Sequence, residues 1–213
     1  MNINKLMSKF VLNYFGGNGR AVTARALLTV GKADWQNNQV KTEDWAKLKP
    51  NFEFGQMPVL EHNGKKYSQS IAINIYLAKT FKLYGKNIEE EYQIDSLFCT
   101  YEDVFPVLCK FTFNQDASKA DELKKAAIEK LKFFAEKLEK RYVSLGKGKY
   151  FLGAHFTAAD VYLASGFYNI CHILKEESNF EKYAPNLCAL IKRVKANELK
   201  IFFEKYYVDG APF

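Results

Sequence analysis

The sequence predicts two structural units in series, a mixed βαβαββα unit and a helical bundle behind it. Three observations predict this. The first 81 residues alternate short β-type runs with helical runs. After residue 90 no alternating strand pattern recurs, and apolar residues return at helical spacing. Between the two lies KLYGKN (82–87), a short polar stretch with a Gly that reads as a linker. The expected units are therefore 1–82 and 89–213, joined through 83–88.

The elements follow in order. KFVLNYF (9–15) is a strand. GRAVTARALLTVG is a helix with Ala21, Ala24, Leu27 and Leu28 on one face and Gly31 as its stop. DWQNNQV (34–40) is a second strand, and Thr42 caps a short helical turn around Trp45. A third strand enters through Pro58, the chain turns at Asn63-Gly64, and a fourth strand ends at Tyr67. SQS then runs into IAINIYLA, a third helix. Beyond the linker, helices are expected at 89–113, 119–144, 157–175, 185–196 and 198–207. Thr157 and Asp160 have the spacing of a capping box. Pro185 and Pro212 stand at element ends, where Pro is tolerated.

Composition narrows the class. Nearly half of the 213 residues are apolar, enough for a packed core and too many for a disordered chain. No apolar run approaches the roughly 20 residues needed to span a bilayer, and MNINKLMSKFVLNYF lacks the charged-then-apolar pattern of a secretory leader. The four cysteines (Cys99, Cys109, Cys171, Cys188) lie far apart, without a CxxC and without His at ligand spacing. They read as reduced, mostly buried thiols of a cytoplasmic protein, with no metal site. The formal charge of +7 does not imply nucleic acid. In DELKKAAIEKLKFFAEKLEKR the lysines alternate with glutamates at helical spacing, as on a solvated, ion-paired face.

Two places carry chemistry. The first is FGQMPVLEHNGKKYSQSIAI (54–73). X-Pro bonds adopt cis at low cost. A cis Met57-Pro58 bond would turn the Met57 N–H and C=O outward, where they can pair with a peptide as an added strand does. A Pro can equally just protect a strand entry. Gln69 and Ser70 stand where the hairpin passes into the helix. A helix N-terminus offers free N–H groups and partial positive charge, so it suits a carboxylate; Ser70 can also be a plain N-cap. Together these features point to a small peptide with a free α-carboxylate. The second place is LNYFGGNGRA, where Tyr14 ends the first strand before a Gly-rich loop. Ligands in such folds bind outside strand ends beside a helix start, and Arg20 in the first helical turn would favour an anion near the phenol.

The stretches YFGGNGRA, EDWAKLKPNFEFGQMPVLE, YSQSIAINIYLA and FTAADVYL resemble cytosolic glutathione transferases over nearly the whole chain, and the sigma class most. That class includes glutathione-dependent prostaglandin D synthases. The resemblance implies a thioredoxin-like N-terminal domain and an all-helical C-terminal domain that contributes the electrophile pocket. It implies conjugation of reduced glutathione, a co-substrate, to hydrophobic electrophiles in detoxification, with no tightly bound cofactor, in a cytoplasmic homodimer. It makes Tyr14 the residue that stabilises the thiolate, supported by Arg20. Trp45 and Lys49 would contact the glycine end of glutathione. Gln56, Met57 and Pro58 would bind the cysteinyl backbone, and Gln69 and Ser70 the γ-glutamyl carboxylate. Asp103 would reach the γ-glutamyl amine in the partner subunit. The loop at 15–18, helix residues from Phe105 to Phe113 and the tail around Phe213 would line the electrophile pocket. A glutathione-dependent isomerase or peroxidase, or a non-catalytic ligand-binding member of the fold, is the alternative. The sequence departs from the sigma pattern at Asn18-Gly-Arg-Ala-Val22, at Gln56 where Lys is common, and at Val107, where the prostaglandin synthases carry Trp after the Phe-Pro pair.

Overall fold

The computed structural model describes residues 9–209. The element end expected at Pro212, the pocket wall expected at Phe213 and the first eight residues of the chain lie outside them. The N-terminal part contains β1 (Phe10–Tyr14), α1 (Val22–Val30), β2 (Trp35–Gln39), α2 (Thr42–Leu48), β3 (Val59–His62), β4 (Lys65–Ser68) and α3 (Ser70–Thr80). The sheet order is β2-β1-β3-β4. Strands β1 and β2 are parallel, and the β1/β3 and β3/β4 pairs are antiparallel. The expected βαβαββα order is present. Leu12 and Leu60 from the sheet and Leu27, Ile73 and Leu77 from the helices are fully buried and form the core of this part.

One local expectation is corrected, and a second holds for a different reason. Thr42 does not cap α2: Lys41, with extended backbone, holds the cap position, and Thr42 is already the first helical residue. Glu43 and Asp44 in that first turn complement the helix dipole instead. Gly31 ends α1 for a different reason than left-handed geometry. Its own φ is −67°, and the left-handed residue is Lys32 at φ 50°. A Cβ on Gly31 would lie 2.4 Å from the Phe81 ring, so Gly is required there by the close approach of the residue after α3.

The second part is helical: α4 (Ile88–Thr112), α5 (Ala120–Ser144), α6 (Ala158–Tyr162), α7 (Tyr168–Leu174), α8 (Glu177–Tyr183), α9 (Pro185–Ala196) and α10 (Lys200–Lys205). The helix expected at 157–175 is present, but a π-helical stretch at Leu163–Phe167 joins α6 to α7. That stretch faces α1. Gly166 approaches Thr23 so closely that a Cβ would sit 2.8 Å from its hydroxyl. The sequence patterns also missed α8. It follows Lys175, which takes the left-handed conformation (φ 59°) usually given to Gly. The buried Glu176 carboxylate holds α8 by accepting from the Asn179 amide and the Tyr183 hydroxyl.

The capping box at the start of α6 is complete. The Asp160 carboxylate accepts from the backbone N–H groups of Thr157 (2.9 Å) and Phe151 (2.7 Å), and from the Thr157 hydroxyl (3.2 Å), all buried. The Thr157 hydroxyl oxygen accepts from the Ala159 N–H at 3.3 Å. Thr157→Ala should therefore cost about 1 kcal/mol, the usual worth of a cap. Asp160→Ala should cost about 3 kcal/mol or more, because it strands two buried N–H groups. Urea unfolding of both variants measures the difference, and an Asp160 variant as stable as the parent would refute this account of the helix start.

Candidate functional site

The loop after β1 is organised by an arginine. Arg25 on α1 has no exposed surface. Its guanidinium donates to the carbonyls of Phe15 (2.8 Å) and Gly17 (2.5 Å) and to Oδ1 of Asn37 (3.1 Å). Burial lowers its pKa to about 10, which leaves it charged at neutral pH. A buried cation satisfied by carbonyl-type oxygens fixes the path of residues 15–17, and with it the end of β1.

Tyr14 stands at that end, 5% exposed. Its hydroxyl oxygen accepts from the Arg20 backbone N–H at 3.0 Å. The approach works because Gly19 lies between them at φ +36°; a Cβ there would be 2.3 Å from the phenol oxygen. The Gly19 carbonyl in turn accepts from the Tyr101 hydroxyl of α4 at 2.9 Å. Burial raises the Tyr14 pKa. The Arg20 N–H and the charges of Arg20 and Arg25 offset part of that rise, and the net direction is upward. The phenol is therefore protonated at neutral pH. Among the described residues its proton has no acceptor.

The Arg20 guanidinium does not reach back to the phenol by a hydrogen bond. It pairs with the Glu102 carboxylate on α4 and lies over the Phe105 ring, 4.8 Å from its centroid. It is therefore the backbone of Arg20 that touches Tyr14, while its side chain shapes the wall of the neighbouring cleft.

That cleft has a volume of about 390 Å³ and is lined by Phe15, Arg20, Trp45, Phe54, Gly55, Gln56, Met57, Pro58, Ser68, Gln69, Ser70 and Glu102. The Met57-Pro58 bond is cis. Met57 itself makes no backbone hydrogen bond among the described residues, since the β1/β3 ladder begins at Val59. Gln69 adopts φ 72° immediately before α3, a conformation a non-Gly residue holds only when its surroundings enforce it. It bends the chain so that α3 presents its N-terminus to the cleft. Ser70 is the first residue of α3 rather than its cap, it is buried, and its hydroxyl has no hydrogen bond among the described residues. The Gln69 amide donates weakly to Oε1 of Gln56 at 3.4 Å. Phe15 and Trp45 meet edge to face, 5.8 Å between centroids, and close the side towards α2.

The structure thus brings together Arg20, Trp45, Gln56, Met57, Pro58, Gln69 and Ser70, with Tyr14 directly behind the Phe15–Arg20 wall. Lys49 lies at the rim, its side chain against Gly55. Asp103 is exposed on α4 and is not part of the cleft wall. Sequence reasoning missed Glu102, Phe54 and Arg25. Of the cysteines, Cys171 and Cys188 are buried, Cys109 is half-buried and Cys99 is exposed; all four are free thiols. No helix among the described residues is long and apolar enough to cross a membrane.

Comparison with known proteins gives matches over both parts of the chain. Residues 10–79 match the family described as glutathione S-transferase, N-terminal domain, and residues 102–205 match glutathione S-transferase, C-terminal domain. Glutathione S-transferase S1 of Drosophila melanogaster is 33% identical over 198 residues, 92% of this chain and 78% of that protein. Glutathione S-transferase 2 of Manduca sexta is 40% identical over 115 residues, 54% of this chain and 56% of that protein. Among solved structures, rat hPGDS complexed with a quinoline superimposes with a TM-score of 0.82 at 25% identity, covering 94% of this chain and 98% of that one.

Proposed function

This chain belongs to the glutathione S-transferase family, and we propose that it activates the glutathione thiol with the Tyr14 hydroxyl and passes the thiolate to hydrophobic electrophiles. The observation that carries the reading is the phenol of Tyr14. It is protonated and held in place by the Arg20 N–H, with its own proton free to donate. A Cys thiol has a pKa of about 8.5, and lowering it by roughly two units requires about 2.7 kcal/mol in favour of the anion. One hydrogen bond to a charged group supplies about 1.5–3 kcal/mol. Tyr14 is then a neutral donor aimed at sulfur, of oxyanion-hole type, with Arg20 as an electrostatic support.

In this reading the tripeptide lies along the cleft. Its cysteinyl backbone pairs with Met57, whose N–H and C=O are not used internally, with Gln56 and Pro58 flanking it. Its γ-glutamyl carboxylate sits on the α3 N-terminus between Gln69 and Ser70, and its glycine end meets Trp45 and Lys49. The unit at 1–82 binds glutathione, and the helices from 89 onward shape the electrophile site. A cavity of about 500 Å³ beside Asn18, lined by Phe111, Thr112, Ile173 and Tyr207 among others, fits that second role. Free thiols at all four cysteines suit a reducing cytoplasm, where we place the protein. The isomerase alternative draws less support, because Val107 follows Phe105-Pro106 on α4. Turnover of a panel of aryl halides, hydroperoxides and a prostaglandin endoperoxide separates the two.

Ser70→Ala should weaken retention on immobilised glutathione, because it removes a donor to the γ-glutamyl carboxylate. Equal retention of the variant would remove Ser70 from the site.

Asp103, exposed on α4, would complete the site of a second copy, so the protein should be a two-fold homodimer. Sedimentation is the check, and a fully active monomer would contradict it.

Tyr14→Phe should leave glutathione affinity nearly unchanged, raise the pKa of the bound thiol and lower turnover at neutral pH. A loss of about 2–3 kcal/mol of anion stabilisation gives roughly 30- to 150-fold less thiolate. Rate should return as pH rises through the shifted pKa, since solvent then removes the proton. Ultraviolet titration of the bound thiolate in parent and variant tests this, and an unchanged thiol pKa would reduce Tyr14 to a packed aromatic.

A further inference from the structure

A cavity larger than the glutathione cleft lies elsewhere among the described residues. About 590 Å³ lies among α7, α8, α9 and α10, with no residue in common with the cleft. Its walls are mainly apolar, with Phe180, Ile191 and Phe203 prominent, and they carry the Lys195 amine and the thiols of Cys171 and Cys188.

Lys195 is held in an unusual way. Its Nζ lies 3.1 Å from the centroid of the Tyr168 ring and 4.6 Å from that of Phe203, so two aromatic faces clasp it. It forms no ion pair among the described residues. The other charged groups of the walls are engaged elsewhere. Lys192 pairs with Glu181 at 2.9 Å. Glu177 meets Nδ1 of His172 at 2.5 Å, and the other ring nitrogen of that His meets Asp209 at 2.6 Å. The cavity thus offers an incoming molecule an apolar surface and one amine that forms no ion pair among the described residues.

We propose that this cavity is a second small-molecule site, in which the Lys195 amine captures apolar aldehydes as a Schiff base. The neutral amine attacks the carbonyl carbon, a proton moves from nitrogen to oxygen, and the carbinolamine loses water to give the C=N bond. One amine and one aldehyde yield one imine and one water, and no other reactant is needed.

The electrostatics agree with the geometry. Desolvation lowers the Lys195 pKa to about 8, against the opposing charges of Glu177 on α8 and Asp209 in the tail and the thiols of Cys171 and Cys188. About one-fifth of the amine is neutral at pH 7.4, roughly 200-fold more than for an ordinary lysine. Burial raises the pKa of both thiols. They remain un-ionised and do not compete, since only the thiolate is nucleophilic. A lysine desolvated in an apolar pocket is the usual setting for Schiff-base chemistry.

The test is reductive trapping. The full-length protein is incubated at pH 7.4 with nonanal and cyanoborohydride, and peptide mapping gives the labelling of each lysine. Lys195 should be labelled at least tenfold faster than the average of the other lysines. Acetaldehyde, too small to use the apolar walls, should show a smaller preference, the part owed to the neutral amine alone. Lys195→Arg, which keeps the cation over the two rings, should lose the preferred adduct and retain conjugation of glutathione to an aryl halide. Even labelling of all lysines by nonanal, or an unlabelled Lys195, overturns the proposal. The labelling pattern is read without turnover, so failure of the glutathione reading and failure of this one are distinguishable.

Discussion

A positive charge with no access to water fixes the loop between Tyr14 and Arg20. Arg25 is fully buried and bonded only to neutral oxygens: two carbonyls of the loop after β1 and the Asn37 side chain on β2. Each such bond to a charged group is worth about 1.5–3 kcal/mol, and together they offset a desolvation large enough to draw the guanidinium pKa down to about 10. The consequence is geometric. A Gly-rich loop, which would otherwise sample many conformations, is tied to α1 and β2 at once. Tyr14 at the strand end and Arg20 beyond the loop then meet with the phenol oxygen 3.0 Å from the backbone N–H.

The helical part is fastened to the same loop from its other side. Tyr101 on α4 donates to the Gly19 carbonyl. The Asn18 amide donates to the Val208 carbonyl at 2.8 Å, and its oxygen accepts from the Val208 N–H at 3.1 Å, so the tail after α10 pairs with a side chain as if with a strand. The Asn18 amide also donates to Oδ1 of Asn169 on α7. Gly166 in the π-helical stretch admits Thr23 of α1 at close range, and the linker itself is bonded, with the Leu83 carbonyl accepting from the Ala158 N–H at 2.8 Å. Loop, α4, α7 and tail therefore form one connected polar seam beside Tyr14. This is why residues far apart in sequence bear on a single phenol.

What was legible in the sequence follows from which features are local. The strand–helix order, the Asn63-Gly64 turn, the Pro58 strand entry and the Thr157–Asp160 box are each written within a few residues, and all were readable. So was the gathering of Met57, Gln69 and Ser70, because their motifs sit in one short β3–β4–α3 segment and its approach, whereas Trp45 and Gln56 came only from the family resemblance. Glu102 was not readable as the partner of Arg20, because nothing within 82 residues of sequence separation announces the pair. Arg25 looked like one more helix residue, since its role depends on carbonyls of a loop folded back over it. Helix α8 was hidden because Lys175 makes the left-handed break without a Gly. The Thr42 reading erred by treating a frequent cap residue as evidence of a cap, whereas Gly31 does stop α1. At Gly31 the true constraint was the Phe81 ring, which lies 50 residues along the chain.

The direction of the Tyr14 pKa decides what kind of catalyst this site can hold. A phenol brought below neutrality would have given up its proton, and its negative charge would repel a thiolate. A fully exposed phenol would donate to water as readily as to sulfur. The structure lies between these. Burial raises the pKa, the Arg20 N–H and the two arginine charges lower it, and burial prevails. In the proposed role the opposing contributions would still matter, because they would stabilise the partial negative charge that grows on the oxygen as its proton is shared with sulfur. The guanidinium groups do not need to touch the phenol for this. Arg25 stands with its guanidinium 5.7 Å from the ring centroid, and Arg20 is paired with Glu102. Keeping them at that distance leaves the hydroxyl neutral while biasing it as a donor, which is what a residue must be if it is to hold an anion that another molecule supplies.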